Sequence, residues 1–158
     1  MVVTLDAIFS HNDMIGSKII ANGTKHLAKR QAPCSHTALL VNKRWVHEST
    51  MKSGVRVISY DAWSTVNTEV ARAELKPRSY QEIADLFRDI KGRGYDWLGI
   101  TFFTLAIIPT FVGFKLPKKN LLQDKNKYFC CEVLGYLTRR CYSMMSPVQI
   151  AKELCSGS

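Results

Sequence analysis

A cysteine, a histidine and a glutamate, far apart along this 158-residue chain, have the makings of acyl-transfer chemistry: Cys130, His36 and Glu48. A thiol attacks a carbonyl only as thiolate, so it needs a base beside it and a group that orients the base. Cys130 falls where a helix is expected to begin, near Phe129. The free N–H groups and the dipole of a helix N-terminus stabilise S⁻ there, and the same amides can hold the oxyanion of a tetrahedral intermediate. Cys131 follows about 100° further round such a helix. Both thiols cannot face one cleft, and spacing alone does not choose between them.

His36 opens an apolar run shortly after Pro33, and Glu48 lies across the hairpin that this run predicts, with His47 on the opposite face of the strand. A carboxylate in that place accepts the His36 ring N–H, fixes its tautomer and favours the imidazolium. Taken singly, each residue also fits a packed interior, since cysteine is among the most buried residue types and a strand histidine usually serves structure.

The elements that must position these groups are short. Leu5 to Ser10 predicts an apolar strand with a turn at His11-Asn12-Asp13. Ile15, Ile19, Ile20 and Leu27, set against Lys18, Lys25 and Lys29, predict a helix interrupted near Asn22-Gly23 and ended by Pro33. Ser35 to Val41 predicts a buried strand, Asn42-Lys43 a turn, and Arg44 to Ser49 the returning strand. Val55 to Ser59 alternates as a third strand, and Thr68 to Leu75 predicts a fourth, closed by Pro77.

Ser79 and Glu82 have capping-box spacing ahead of a helix carrying Ile83, Leu86, Phe87 and Ile90, which Gly92 and Gly94 stop. Residues 115–127 predict a polar surface loop. A helix from Phe129 presents Val133, Leu134 and Leu137 on one face, and Ser146-Pro147 starts a last helix with Ile150 and Leu154 inward. Strands joined by short turns make this an α+β chain, and its length predicts a single domain over 1–158.

With 22 Lys and Arg against 13 Asp and Glu, the net charge of +9 favours anionic partners: nucleic acid, phospholipid head groups or acidic cell-wall polymers. The charges are scattered, densest at Lys115 to Lys127 and Arg139-Arg140. No basic stripe interleaves with aromatics, so nucleic acid is not an expected partner, and a solvated basic surface is the plain reading. The five cysteines are an odd number without framework spacing. MVVTLDAIFS carries no basic n-region or long apolar run, so no signal peptide is expected. Free thiols in a reducing compartment follow, with a cytoplasmic or peripherally membrane-associated location.

Trp97 to Phe114 is 18 residues without a charge, the lower edge of bilayer-spanning length, interrupted by Pro109. It reads as a buried helix followed by a turn or as an apolar wall of a substrate groove. The competing readings are a membrane-dipping element, helped by the basic run from Lys115, and a single membrane span. No metal is expected, because the chain lacks the paired C-x₂-C or H-x₃-H spacings of structural zinc. Gly16-Ser17-Lys18 lacks the upstream glycine of a P-loop, and no cofactor is expected.

Several of these segments together resemble one family. Ser35-His36-Thr37-Ala38-Leu39-Leu40, Trp45-Val46-His47-Glu48-Ser49 and Gly54-Val55 are similar to the histidine strand, acidic strand and following Gly-Val of circularly permuted papain-like (NlpC-type) cysteine hydrolases. Tyr95-Asp96-Trp97 and Tyr128-Phe129-Cys130-Cys131-Glu132-Val133-Leu134 resemble the later signatures, the second being the cysteine motif. The YiiX-like branch is closest, and Ser146-Pro147 resembles its C-terminal helix start. The similarity covers roughly residues 5 to 155 in the permuted order of histidine, acid, cysteine. It implies a permuted papain-like fold, an antiparallel sheet packed against helices with the catalytic cysteine at the start of a late helix. It implies His36 as base, Glu48 as orienting acid and Cys130, rather than Cys131, as nucleophile, because Glu132 then takes the family's Glu position. Tyr95 and Trp97 would contact substrate. Cys131 stands where the family usually has serine. The implied activity is attack on an amide or ester through a thioester acyl-enzyme, with a lipid or cell-wall component as substrate. A lipid acyltransferase on this fold, or a non-catalytic basic module that binds membrane or cell wall, are the alternatives.

Overall fold

The computed structural model describes residues 1–12, 15–28 and 32–155. Among the described residues five strands pair antiparallel throughout: β1 (Val2–His11), β2 (His36–Val41), β3 (Trp45–Thr50), β4 (Gly54–Ser59) and β5 (Thr68–Ser79), in the order β4-β3-β2-β1-β5. Among the described residues six α-helices accompany them: α1 (Ile15–Thr24), α2 (Tyr60–Ser64), α3 (Tyr80–Ile90), α4 (Trp97–Ile107), α5 (Cys130–Thr138) and α6 (Pro147–Cys155). Short 3₁₀ turns, Lys25–Ala28 and Ile108–Val112, extend α1 and α4. The fold is α+β with an antiparallel sheet.

Asn42 and Lys43 both take positive φ, 52° and 56°, which turns the chain tightly enough to bring β3 back beside β2. Strand alternation then sorts the side chains onto two faces. Leu39, Val41, Phe9 and Ala7 pack with Val133, Leu134 and Leu137 of α5, Ile83 and Ile90 of α3, and Ile150 of α6 in the main core. The other face carries Ile8, Ala38, Leu40 and Val46, covered by Trp63 of α2.

Several local expectations are corrected. Pro77 does not close the fourth strand; β5 continues to Ser79, with the pairing to β1 shifting register between Leu75 and Arg78. An edge strand with such an irregularity tolerates proline's missing N–H. Ser79 precedes α3 without a side-chain cap bond; Glu82 pairs instead with Arg78 at 3.1 Å and Arg139 at 3.3 Å. Helix α1 runs through Asn22-Gly23 and tightens to 3₁₀ only after Thr24, whose hydroxyl donates to the Ile20 carbonyl at 2.8 Å. The side chains of Ile15, Ile19 and Lys25, together with Lys29, and Asp13 of the expected turn, lie outside the described residues. The short helix α2 had no counterpart in the sequence reading.

Segment 97–114 is neither a wholly buried helix nor a span. It buries Gly99, Phe103 and Ile107 and exposes Trp97, Leu98, Leu105, Ile108 and Phe111. No helix among the described residues is long and apolar enough to cross a membrane.

Candidate active site

Cys130 is the first residue of α5, and Phe129, with φ −94° and ψ 173°, is the extended residue before it. The helix starts here because Glu132 turns back to accept the Phe129 N–H at 3.1 Å, which satisfies a donor the helix leaves open and sets an acid in its first turn. The turn ahead of the cysteine is tied down from two sides. Ser49 Oγ of β3 donates to the Tyr128 carbonyl at 2.6 Å, and the Tyr128 N–H donates to the Gly94 carbonyl at 3.1 Å. Segment 92–94 is itself held by β4, through Val55 N–H to Arg93 O at 2.8 Å and Gly92 N–H to Val55 O at 2.9 Å. Gly54 makes this approach feasible: its φ is +61°, and a Cβ there would stand 2.2 Å from the Arg93 carbonyl oxygen.

His36 opens β2. Leu39 pairs with His47, so extending the register by one residue sets Ala38 opposite Glu48 and leaves His36 diagonally placed on the same face. The His36 Nε2–H donates to Glu48 Oε2 at 2.7 Å. Glu48 is 1% exposed and takes two more partners. Arg56 of β4 donates to Oε1 from Nε at 2.9 Å and Nη2 at 2.7 Å, and Trp63 Nε1–H donates to Oε2 at 3.1 Å. With Nε2 committed to the carboxylate, Nδ1 is the ring nitrogen left for the sulfur, and Cys130 lies near enough for the ring and the thiol to shift each other's ionisation.

The electrostatics follow from these contacts. Burial opposes charge on His36, but hydrogen bonds to Cys130 and Glu48 outweigh it and raise the imidazole to about 10. Burial likewise opposes a charged Glu48, and the His36 and Arg56 hydrogen bonds hold it below the usual carboxylate range. The Cys130 thiol is driven well below its ordinary value by the Cys131 S–H, against the cost of burial, and then by His36 and the Thr37 backbone N–H. Cys131, its sulfur 4.0 Å from that of Cys130, moves the other way, through burial and the neighbouring sulfur. Buried Cys34 is pushed up to about 12 for the same two reasons. These opposed shifts favour the ion pair of a Cys130 thiolate with a His36 imidazolium backed by the Glu48 carboxylate. Cys130 is 6% exposed, and 16% of the His36 side chain reaches solvent.

His36, Glu48 and Cys130 are therefore gathered at one place. Tyr95 joins them: it is buried, and burial followed by the Cys130, Cys131 and Glu132 charges raises its hydroxyl. Trp97 is 54% exposed and packs edge-on against Tyr95 with ring centres 5.2 Å apart, at the border of the site rather than in it. His47 points to the other face, against Phe87, and burial lowers it to about 4. Sequence reasoning missed Arg56 and Trp63. Arg56 could have been found, because alternation along Val55 to Ser59 sets it apart from Val55 and Val57, on the face that Glu48 shares. Trp63 gave no such signal, since α2 has only five residues. Among the described residues no group of three or more His, Cys, Asp and Glu could hold a metal ion. Compared with family models, curated proteins and solved structures, the chain matches none of them.

Proposed function

We propose that the protein is a thiol-dependent acyl-transfer enzyme. Within that class we assign it to the circularly permuted papain-like (NlpC-type) cysteine hydrolases. The single observation that carries the reading is the His36–Glu48 pair, a carboxylate 2.7 Å from one ring nitrogen, set beside a thiol at a helix N-terminus. Cys130 S⁻ attacks the carbonyl carbon of an amide or ester, and the carbonyl π pair moves to oxygen. First-turn amides of α5 stabilise that oxyanion. His36 passes its proton to the leaving amine or alkoxide as the tetrahedral intermediate collapses to a thioester. It then deprotonates water, or the alcohol or amine of an acceptor, which releases the acyl group and restores the thiolate. Glu48 holds the ring orientation and the charge of the imidazolium throughout. Cys131 stays protonated and donates toward the nucleophile rather than competing with it. The net charge of +9 favours a substrate at an anionic surface, of the lipid or cell-wall kind.

The test is alkylation by iodoacetamide at pH 6, followed residue by residue by mass spectrometry. Cys130 is expected to react first, because its thiolate persists where ordinary thiols, with pKa about 8.5, are protonated. His36→Ala is expected to slow that labelling by about tenfold or more, because losing the imidazolium raises the thiol toward its ordinary value of about 8.5 and shrinks the thiolate fraction at pH 6. Equal, slow labelling of Cys130 and Cys141, unchanged by His36→Ala, would overturn the assignment.

A further inference from the structure

Between Glu48 and Cys130 in the chain, the α4 segment presents a surface that the proposed chemistry does not use. Trp97, Leu105, Ile108, Phe111, Val112 and Phe114 are each more than half exposed, and Trp97 to Phe114 contains no charged residue. Apolar residues exposed one at a time are ordinary on protein surfaces, whereas a run of them on one helix and the turn that extends it marks a contact face. Three further features specify what it contacts. Thr101 and Thr104, the hydroxyls on the exposed side of α4, donate to Trp97 O at 2.7 Å and Ile100 O at 2.8 Å, so they enter an apolar medium with their hydrogen bonds made. The face ends in a basic border: Lys115, Lys118 and Lys119 follow Phe114 directly and are all exposed. Finally, α4 has 11 residues, too few to cross a bilayer, so contact with a membrane would be along its surface.

We infer that the face formed by α4 and Ile108–Val112 docks the protein, in plane, onto the surface of an anionic phospholipid bilayer, with Trp97 and Phe111 at the acyl boundary and Lys115, Lys118 and Lys119 on the head groups. The occupant is a membrane rather than a second protein because the apolar patch and the cationic rim are adjacent and of the kind that interfacial helices combine. A protein partner would be expected to supply carboxylates or hydrogen-bond partners for polar groups on the face, and its hydroxyls are already satisfied internally. Attachment is firm, since α4 buries Phe103 against Phe129, ring centres 6.4 Å apart, one residue before Cys130. Asn120 of the following loop donates to the Gly99 carbonyl at 2.9 Å, and the Asp124 N–H donates to Asp96 Oδ2 at 3.1 Å. The docked face is thereby fixed relative to the thiol. The inference stands on binding alone and does not depend on the cysteine chemistry.

The experiment is co-sedimentation of the parent protein with vesicles of phosphatidylcholine containing phosphatidylserine, beside vesicles of phosphatidylcholine alone. Binding to the mixed vesicles is expected, weaker by about tenfold on the neutral ones and weakened by raised salt. The double variant Phe111→Asp/Val112→Asp, with far-ultraviolet circular dichroism confirming its fold, is expected to lose binding by about a hundredfold. Lys118→Glu/Lys119→Glu is expected to lose the preference for the anionic vesicles while keeping the weaker neutral binding. Failure of the parent protein to sediment with either vesicle, or unchanged binding by the double aspartate variant, overturns the proposal. So does a parent protein that is dimeric by light scattering and becomes monomeric in the aspartate variant, which would assign the face to a second copy of the chain.

Discussion

Two buried glutamates support the candidate site, Glu48 behind His36 and Glu132 in the first turn of α5, and their carboxyls are shifted in opposite directions. Glu48, on the strand side, is 1% exposed and accepts from His36, Arg56 and Trp63, so four N–H bonds of 2.7 to 3.1 Å replace the water it has lost. Glu132, on the helix side, is 4% exposed and among the described residues has one such bond, from the Phe129 N–H, with no hydrogen-bond partner there for its Oε1. Burial therefore wins at Glu132 and, with Asp96 and Cys130 nearby, raises it to about 8. Charge beside the sulfur is thus set by the number of donors each carboxyl meets, not by residue type. On one side a carboxylate supports the imidazolium. On the other, an acid kept neutral completes the helix cap without repelling a thiolate.

The largest effect expected from disturbing this contrast comes from Glu48→Gln. It leaves the Arg56 guanidinium without its anion and weakens the His36 bond, and should cost about 3 kcal/mol in urea unfolding at pH 7. It should also move the alkaline limb of Cys130 chemistry. In the parent the imidazolium persists until His36 loses its proton near 10, so its stabilising contribution is full below the unfolded value of about 6.5 and disappears as pH passes 10. In the variant that loss should fall at lower pH, read from the pH profile of folding stability.

Glu132→Gln sharpens the contrast at a smaller scale. A folded-state value near 8 against an unfolded value near 4.5 means the folded protein binds the extra proton, so the parent loses stability as pH rises between them. The variant lacks that slope. It should lie within about 1 kcal/mol of the parent at pH 5, where an acid and an amide both accept the Phe129 N–H, and should be the more stable of the two at pH 8. Ser49→Ala should do least. It removes the 2.6 Å bond to the Tyr128 carbonyl, costing about 1 kcal/mol, and should leave both pH profiles in place.

The sequence carried the site further than it carried its surroundings. The apolar run Ser35 to Val41 and the turn at Asn42-Lys43 were enough to predict the hairpin that sets Glu48 across from His36, and a helix start near Phe129 went with the apolar spacing of Val133, Leu134 and Leu137. Those are local rules of period and turn. Arg56 and Trp63, which keep Glu48 ionised, depend on strand order and on a five-residue helix folding over the sheet. Pro77 and Ser79 misled for the same reason: whether a proline ends a strand, or a serine caps a helix, depends on what lies beside it. Glu132, read as part of a motif, proved to be the cap residue that the Ser79 segment lacks.

Trp63 has a use that its place beneath the sheet does not suggest. It is fully buried, whereas Trp45 and Trp97 are 44% and 54% exposed. A water-soluble quencher such as iodide reaches the latter two and leaves the one indole that touches Glu48. Residual emission from the folded protein is therefore an intrinsic optical gauge of the carboxylate behind His36, readable without a substrate or a label.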